Sequence, residues 1–218
     1  MFSKGIKMWN KDDNYSKAIE VLLDDEDGFA NYKSDRGGMT YAGVSERYFP
    51  KWEGWNIIYK HLDKFPELRI PYEKEPDAVK ELDKILSEDS ELQESLRDFY
   101  FTFFWMPMHL DKITSYEKCL LIFTTGVMSG KNTAAKYQQI CADVKVDKIV
   151  GPITIRETNQ TSDKQFCFQF LLEVQEYLTY ITYNNAENRK FFLGWSGRNM
   201  KQYKRILESF KIKDRLWY

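Results

Sequence analysis

The sequence predicts a mainly α-helical fold with one small β-hairpin. Apolar residues recur at intervals of three and four along most of the chain, which is the spacing of one helix face. The exception is a glycine-rich stretch, roughly residues 28–44, whose turn residues and short apolar segments favour a hairpin. With 218 residues, 43% of them hydrophobic and 16% aromatic, the chain is long enough to form a packed core.

Helix signals follow one another along the chain. Asn14 or Ser16 can cap a first helix that runs through Leu22 and ends at an acidic cluster. A short helix is predicted to begin near Ser45 and to stop before Pro50. Further helices are predicted over residues 77–86, 91–105, 116–129, 131–142, 164–182 and 200–210.

Residues 22–45 carry the densest group of reactive side chains. Four consecutive carboxylates, residues 24–27, close the first helix, and Gly28 lets the backbone leave it. Asp35 and Thr40 follow beyond the turn. A carboxylate at a helix end, with an Asp and a Thr carried on the next turn, can face a single cleft.

The order of residues in this stretch resembles glycoside hydrolase family 108, the phage and bacterial peptidoglycan N-acetylmuramidases, whose usual form reads EGGYVN…DPGGATNFGIT. The matching residues are Glu26, Gly28, Phe29, Asn31, Asp35, Gly37, Gly38, Thr40, Gly43, Val44 and Ser45. The sequence departs from the pattern at Asp27, where the family has glycine, and at Arg36, where it has proline. The resemblance implies a lysozyme-like α+β fold and cleavage of the β-1,4 bond between N-acetylmuramic acid and N-acetylglucosamine.

The resemblance extends over about residues 15–205 and implies a division of the chain. Residues 1–13 are interpreted as a leader, and residues 14–145 as a lysozyme-like catalytic domain with a charged insertion near 62–90. Residues 146–218 are interpreted as a helical part that resembles the family's peptidoglycan-binding region and packs on the same core. Within it, VDKIVGPIT at 146–154 is similar to a wall-binding element, with a structural corner as the alternative. In the middle of the chain, Thr124 and Met128 stand where the family has Asp and Asn.

The chemistry of glycoside cleavage assigns roles to three residues. A carboxylic acid must protonate the leaving oxygen, and Glu26 lies between Asp25 and Asp27, whose charges are expected to raise its pKa. The negative end of the helix dipole acts in the same direction. Asp35 is the predicted base or stabilising anion, and Thr40 is predicted to hold the water.

Aromatic and basic residues are the candidates for sugar contacts. Tyr41, Trp52, Trp55 and Trp195 are predicted to line the cleft, because aromatic faces suit the apolar faces of sugar rings. Core packing is the alternative for the tryptophan pair. Arg198 belongs to a late segment, FFLGWSGRN, that is similar to the family's and could line the cleft as well.

The distribution of charge along the chain indicates which kinds of partner the protein can bind. The net charge is −1, which excludes a generally basic nucleic-acid binder, but residues 189–218 hold nine Lys or Arg against two acids. Residues 198–215 are predicted to make electrostatic contact with a cell wall or membrane surface, with a solvated helix face as the alternative. Bacterial peptidoglycan is the predicted partner, and the protein is expected to be a monomer.

Several classes of site are not expected. Three cysteines without paired spacing are interpreted as buried free thiols, and two distant histidines give no metal spacing, so neither metal nor cofactor is predicted. Neither a signal peptide nor a membrane span is expected. The expected location is therefore the cytoplasm of the producing host cell, with release to the wall through another protein, or the virion.

Two other functions remain open at this point. One is a non-catalytic wall-binding or virion structural protein that has kept a lysozyme-like fold. The other is a hydrolase of chitin or chitosan.

Overall fold

The computed structural model describes residues 12–35 and 37–212. In these ranges the helices are α1 (Asp13–Asp25), α2 (Gly54–Leu62), α3 (Ala78–Glu88), α4 (Ser90–Tyr100), α5 (Tyr116–Ser129), α6 (Lys131–Cys141), α7 (Pro152–Gln160), α8 (Asp163–Asn184) and α9 (Arg189–Ser209). The strands are β1 (Phe29–Ala30), β2 (Thr40–Tyr41) and β3 (Val44–Ser45). The predicted mainly α, lysozyme-like fold with one small β element is confirmed. Most of the predicted leader, Arg36 and the last residues of the basic tail lie outside the described residues.

The small sheet is antiparallel in the order β1-β2-β3. Tyr41 pairs with Phe29 on one side and with Val44 on the other, and all three side chains are buried. Ala42 and Gly43 connect β2 to β3 with φ values of 44° and 80°, which is the left-handed backbone of a two-residue hairpin turn. Of the neighbouring strand positions, Ala30 and Thr40 are partly exposed, whereas Ser45 is buried.

The first compact unit contains residues 19–102 and therefore the sheet, α2, α3 and α4. Its core includes α3, which buries Val79, Leu82 and Leu86 at the i, i+3, i+7 spacing of one helix face. The predicted charged insertion near 62–90 is thus part of this unit's core. It is also tied to the glycine-rich motif, because the Asn31 side chain donates to Leu68 O at 3.0 Å.

The short helix predicted from Ser45 to Pro50 is absent from the structure, which has strand and turns there. Ser45 ends β3, where it pairs with Thr40, and its hydroxyl donates to Gly37 O at 2.6 Å and accepts the Tyr48 N–H at 3.4 Å. The helix of this region is α2, which begins only at Gly54.

The second unit contains residues 12–18 and 103–212 within the described ranges. Helix α5 forms its centre and packs against α6 and α8. Close approach is possible because Gly126 has no side chain: a Cβ there would lie 2.4 Å from Met108 Sδ. The predicted division at residue 145 falls inside this unit, and the division of function between the two parts stays a prediction.

A buried cation joins three helices of the second unit. The Lys118 side chain on α5 is fully buried, and its Nζ donates to Thr158 O at 2.7 Å and Thr161 O at 2.6 Å near the end of α7. The same ammonium pairs with Asp163, the first residue of α8, at 2.8 Å. Burial of this charge is tolerated because hydrogen bonds and an opposite charge compensate for the lost water.

Two further properties concern the chain as far as it is described. None of the helices has both the length and the apolar character needed to cross a membrane. Cys119, Cys141 and Cys167 are free and buried, as predicted. Burial raises the pKa of all three thiols, to about 12 for Cys167.

Candidate active site

Glu26 lies directly after α1 and against the β2–β3 turn. Its backbone N–H donates to Leu23 O at 3.4 Å, which continues the last helical turn. A Cβ placed on Gly43 would be 3.0 Å from Glu26 Oε2, so the partly buried carboxyl occupies the space that a side chain would need. The turn therefore needs glycine at position 43 both for its positive φ and for room beside Glu26.

Tyr100, at the end of α4, meets the same turn and was missed by the sequence analysis. Its buried hydroxyl donates to Ala42 O at 2.7 Å, and a Cβ on Gly43 would lie 2.6 Å from this oxygen. Burial, and then the charge of Glu26, raise the pKa of Tyr100 far above its ordinary value of 10.0. The hydroxyl consequently keeps its proton and acts as a fixed donor next to the Glu26 carboxyl. The sequence gives little sign of this role, because Tyr100 is one of several aromatic residues in the run FYFTFFW.

Asp35 lies in the turn before β2, and Thr40 is the first residue of β2. The exposed Asp35 carboxylate accepts the Gly37 N–H at 2.7 Å, which fixes the turn before β2. Thr40 pairs across the sheet with Ser45, whose hydroxyl bonds the carbonyl of the same Gly37. The three predicted catalytic residues thus all lie beside the small sheet: Glu26 approaches the β2–β3 turn, Thr40 begins β2 and Asp35 stands in the turn before it.

Asp83 is a second residue that the sequence analysis missed. From α3 it accepts the Phe29 N–H at 2.6 Å, and a Cβ on Gly28 would lie 2.3 Å from its Oδ1. Burial raises the pKa of Asp83, and the charges of Glu75 and Asp27 add to the rise, while the bond from Phe29 opposes it. This carboxylate fixes the backbone at Phe29, three residues after Glu26. No local pattern marks it, since it lies 54 positions from its partner Phe29.

The predicted sugar contacts of the first unit do not fit the structure. Tyr41 is buried, its hydroxyl accepts from Gln93 Nε2 at 2.8 Å, and burial raises its pKa to about 12. Trp52 and Trp55 are buried against each other edge to face, with ring centroids 5.3 Å apart. Their indole N–H groups donate to backbone carbonyls at 3.3 and 3.0 Å. These three rings serve the core, and their faces are closed to a sugar.

The other predicted contacts lie in the second unit, on α9. Trp195 is partly exposed and stacks on Phe191 with centroids 5.5 Å apart. Arg198 is partly exposed one turn further along the helix. A role of either residue in sugar binding stays a prediction.

The VDKIVGPIT element is a rigid corner. The buried Gln139 amide donates to Asp147 Oδ1 at 2.8 Å and accepts from Lys148 N at 2.7 Å. This explains why Lys148 can hold a positive φ of 65°. Ile149 and Ile153 remain exposed at its surface. The hydrogen bonds of Gln139 therefore support the interpretation of VDKIVGPIT as a structural corner.

The lysozyme-like fold, with Glu26 between the end of α1 and the small sheet, points to a lysozyme-like class of protein. The family model described as Glycosyl hydrolase 108 matches residues 19–130, about half of the chain. The chain belongs to this family, and membership supports a lysozyme-like glycoside hydrolase that acts on peptidoglycan.

Comparison with solved structures agrees on the fold. The protein is similar to the structure of Brucella abortus SagA, with a TM-score of 0.59 and 19% sequence identity over 93% of this chain and 98% of that chain. At this identity the likeness shows the fold alone. A search among curated proteins finds no match.

Proposed function

We propose that the protein is an N-acetylmuramidase that cleaves the β-1,4 bond between N-acetylmuramic acid and N-acetylglucosamine, with Glu26 as general acid. The observation that carries the proposal is the position of the Glu26 carboxyl, partly buried against Gly43 and next to the Tyr100 hydroxyl. The matched family region contains all three residues. A carboxyl held in one place by a turn is suited to proton transfer, which requires fixed geometry.

The proposed reaction uses the hairpin as a frame. Glu26 protonates the leaving glycosidic oxygen, while Asp35 either orients water or stabilises positive charge on the sugar. Thr40 holds the water by a hydrogen bond. Tyr100 does not take part in proton transfer, because its raised pKa keeps the proton on its hydroxyl, and it serves to position the turn.

The test is digestion of purified peptidoglycan followed by mass spectrometry of the fragments. The proposed activity releases fragments that end in a reducing N-acetylmuramic acid. Glu26→Gln should lower the rate by roughly 10²- to 10⁴-fold, since it removes a positioned proton donor and keeps the size of the side chain. Asp24→Asn is the matched control, because it removes an exposed charge from the same acidic cluster and should leave the rate nearly unchanged.

Two outcomes would contradict the assignment. Near wild-type release by a folded Glu26→Gln variant would exclude Glu26 as the acid. Fragments ending in reducing N-acetylglucosamine, or degradation of chitin or chitosan in preference to peptidoglycan, would exclude the bond that we propose.

The biological setting is also a proposal. The family resemblance of the glycine-rich motif motivates a phage endolysin that accumulates in the host cytoplasm and reaches the wall through another protein. A virion-associated lysozyme is the alternative. Immunodetection in purified virions and in lysates of the producing cell separates the two.

A further inference from the structure

The end of α8, the short turn Ala186–Asn188 and the first half of α9 form a two-helix projection, residues 179–201, that we call the arm. Every residue of the arm is described, and none of its side chains is buried. By contrast, the earlier part of α8 buries Phe166, Phe170 and Leu178 in the core of the second unit. The two helices of the arm pack on each other, through partly buried residues such as Ile181, Phe192 and Trp195, and their outer apolar side chains stay exposed.

Large apolar side chains are exposed along the arm. The exposed fractions are 66% for Tyr180, 83% for Tyr183, 48% for Phe191, 83% for Leu193 and 45% for Met200. The first four lie within about two helical turns of the Ala186–Asn188 turn, on either side of it, and thus near the tip of the arm. Apolar side chains concentrated in this way, rather than scattered singly, mark a surface that contacts something else.

Positive charge accompanies the apolar residues. Helix α9 contains six Lys or Arg and one Glu, and the turn before it adds the exposed Glu187, in a chain whose net charge is −1. The spacing 4, 7 and 4 places Arg189, Leu193, Met200 and Lys204 on one stripe of α9, and all four are exposed. The stripe thus has an apolar middle and a cation at each end. Next to it at the tip, Lys190 Nζ lies 4.8 Å from the centroid of the Phe191 ring.

We propose that the arm docks on an anionic lipid bilayer, with Tyr183 and Leu193 inserted at the boundary between headgroups and acyl chains. Helices that lie in this interface combine aromatic and leucine side chains on one face with Lys or Arg beside them. The long stems of Arg189 and Lys204 allow their charged ends to stay among anionic headgroups while the apolar residues between them are buried. The inference does not depend on the hydrolase activity.

Two other occupants fit the arm less well. A glycan is recognised by ring stacking and hydrogen bonds, which the tyrosines of the arm could supply but the aliphatic middle of the α9 stripe, Leu193 and Met200, could not. A second copy paired antiparallel along the stripe would place Arg189 opposite Lys204 at both ends, so like charges would meet. A bilayer that contains anionic lipid satisfies the apolar and the charged groups together.

The experiment is flotation of the full chain with vesicles of phosphatidylcholine, with and without added phosphatidylglycerol. We expect binding only to the anionic vesicles, and weaker binding at high salt because exposed charges are screened. Tyr183→Ser combined with Leu193→Ser should lower the affinity by about tenfold or more. Arg189→Gln and Lys204→Gln should each lower it by about fivefold. Circular dichroism checks that each variant is folded, which the high exposure of these positions favours.

Ile70→Ser combined with Ile149→Ser is the matched control. These two residues are 68% and 72% exposed and lie outside the arm, so equal vesicle binding is expected. The proposal is overturned if the control and the arm variant lose the same affinity, or if wild-type protein does not bind anionic vesicles. It is also overturned if the arm variant keeps vesicle binding but loses binding to insoluble peptidoglycan, or converts a dimer to a monomer in light scattering.

Discussion

Replacing Gly43 by alanine tests whether the β2–β3 turn positions Glu26. The added Cβ would lie 2.6 Å from Tyr100 Oη and 3.0 Å from Glu26 Oε2, at a backbone φ of +80°. The positive φ alone costs about 1–2 kcal/mol for a residue with a Cβ. Forcing the two contacts apart in a packed site adds about 1–3 kcal/mol. Since Glu26 must give way by a few tenths of an ångström, we also expect lysis to slow by about tenfold.

The control is Gly38→Ala. Gly38 has a similar positive φ of +70°, but a Cβ there would meet nothing within 4 Å. This variant should show the backbone cost alone and should retain most of its lytic activity. The difference between the two variants then isolates the contacts with Tyr100 and Glu26.

Urea denaturation followed by tryptophan fluorescence measures the free energy of unfolding, and turbidity of purified peptidoglycan measures lysis. Adding Tyr100→Phe to Gly43→Ala removes the oxygen that the Cβ would strike. The double variant should therefore be about 1 kcal/mol more stable than the sum of the two single effects predicts. The reasoning is refuted if Gly43→Ala and Gly38→Ala lose equal stability and equal activity.

Two further predictions concern carboxylates of the first unit. Burial raises the pKa of Asp83 above its ordinary value of 3.8, so the folded protein holds this proton more tightly than the unfolded chain. Its contribution to stability should fall as the pH rises from about 4 through the folded-state pKa, and Asp83→Asn should reduce this fall in urea midpoints measured across that window. Asp89 caps α4 by accepting the N–H groups of Glu91 and Leu92, and it also bonds His61 at 2.8 Å. Asp89→Ala should cost about 1–2 kcal/mol, whereas Asp77→Ala, at the start of α3 where the side chain makes no capping bond, should cost much less in thermal unfolding.

Regular helices were predictable from the sequence because their signals are local. The range 116–129 agrees with α5 at both ends, since Ser115 and Gly130 flank an uninterrupted apolar stripe. The hairpin was predictable because glycine and turn residues separate its short apolar segments. In each case the residues that determine the element lie within it or beside it.

Contacts between distant segments were not predictable. Trp52 could have been an exposed sugar platform or a core residue, and the choice depends on α4, whose Ser95 carbonyl accepts the indole N–H. The predicted Ser45 helix is wrong because Ser45 belongs to β3, where it pairs with Thr40. Tyr100 lies 58 positions from Ala42, so its part in the candidate site emerges only from the fold.

The carboxylate of Asp83 makes two distant positions interdependent. A Cβ on Gly28 would lie 2.3–2.5 Å from all three atoms of that carboxyl group, so the Asp83 side chain would have to move away from the Phe29 N–H to make room. A selection for variants at position 28 should therefore favour glycine as long as Asp83 is fixed, because any other residue must displace the Asp83 carboxylate and break its bond from the Phe29 N–H. Libraries that vary both positions should admit larger residues at 28 together with glycine or alanine at 83. A redesign of the turn after Glu26 must therefore include Asp83, which lies in the charged 62–90 region.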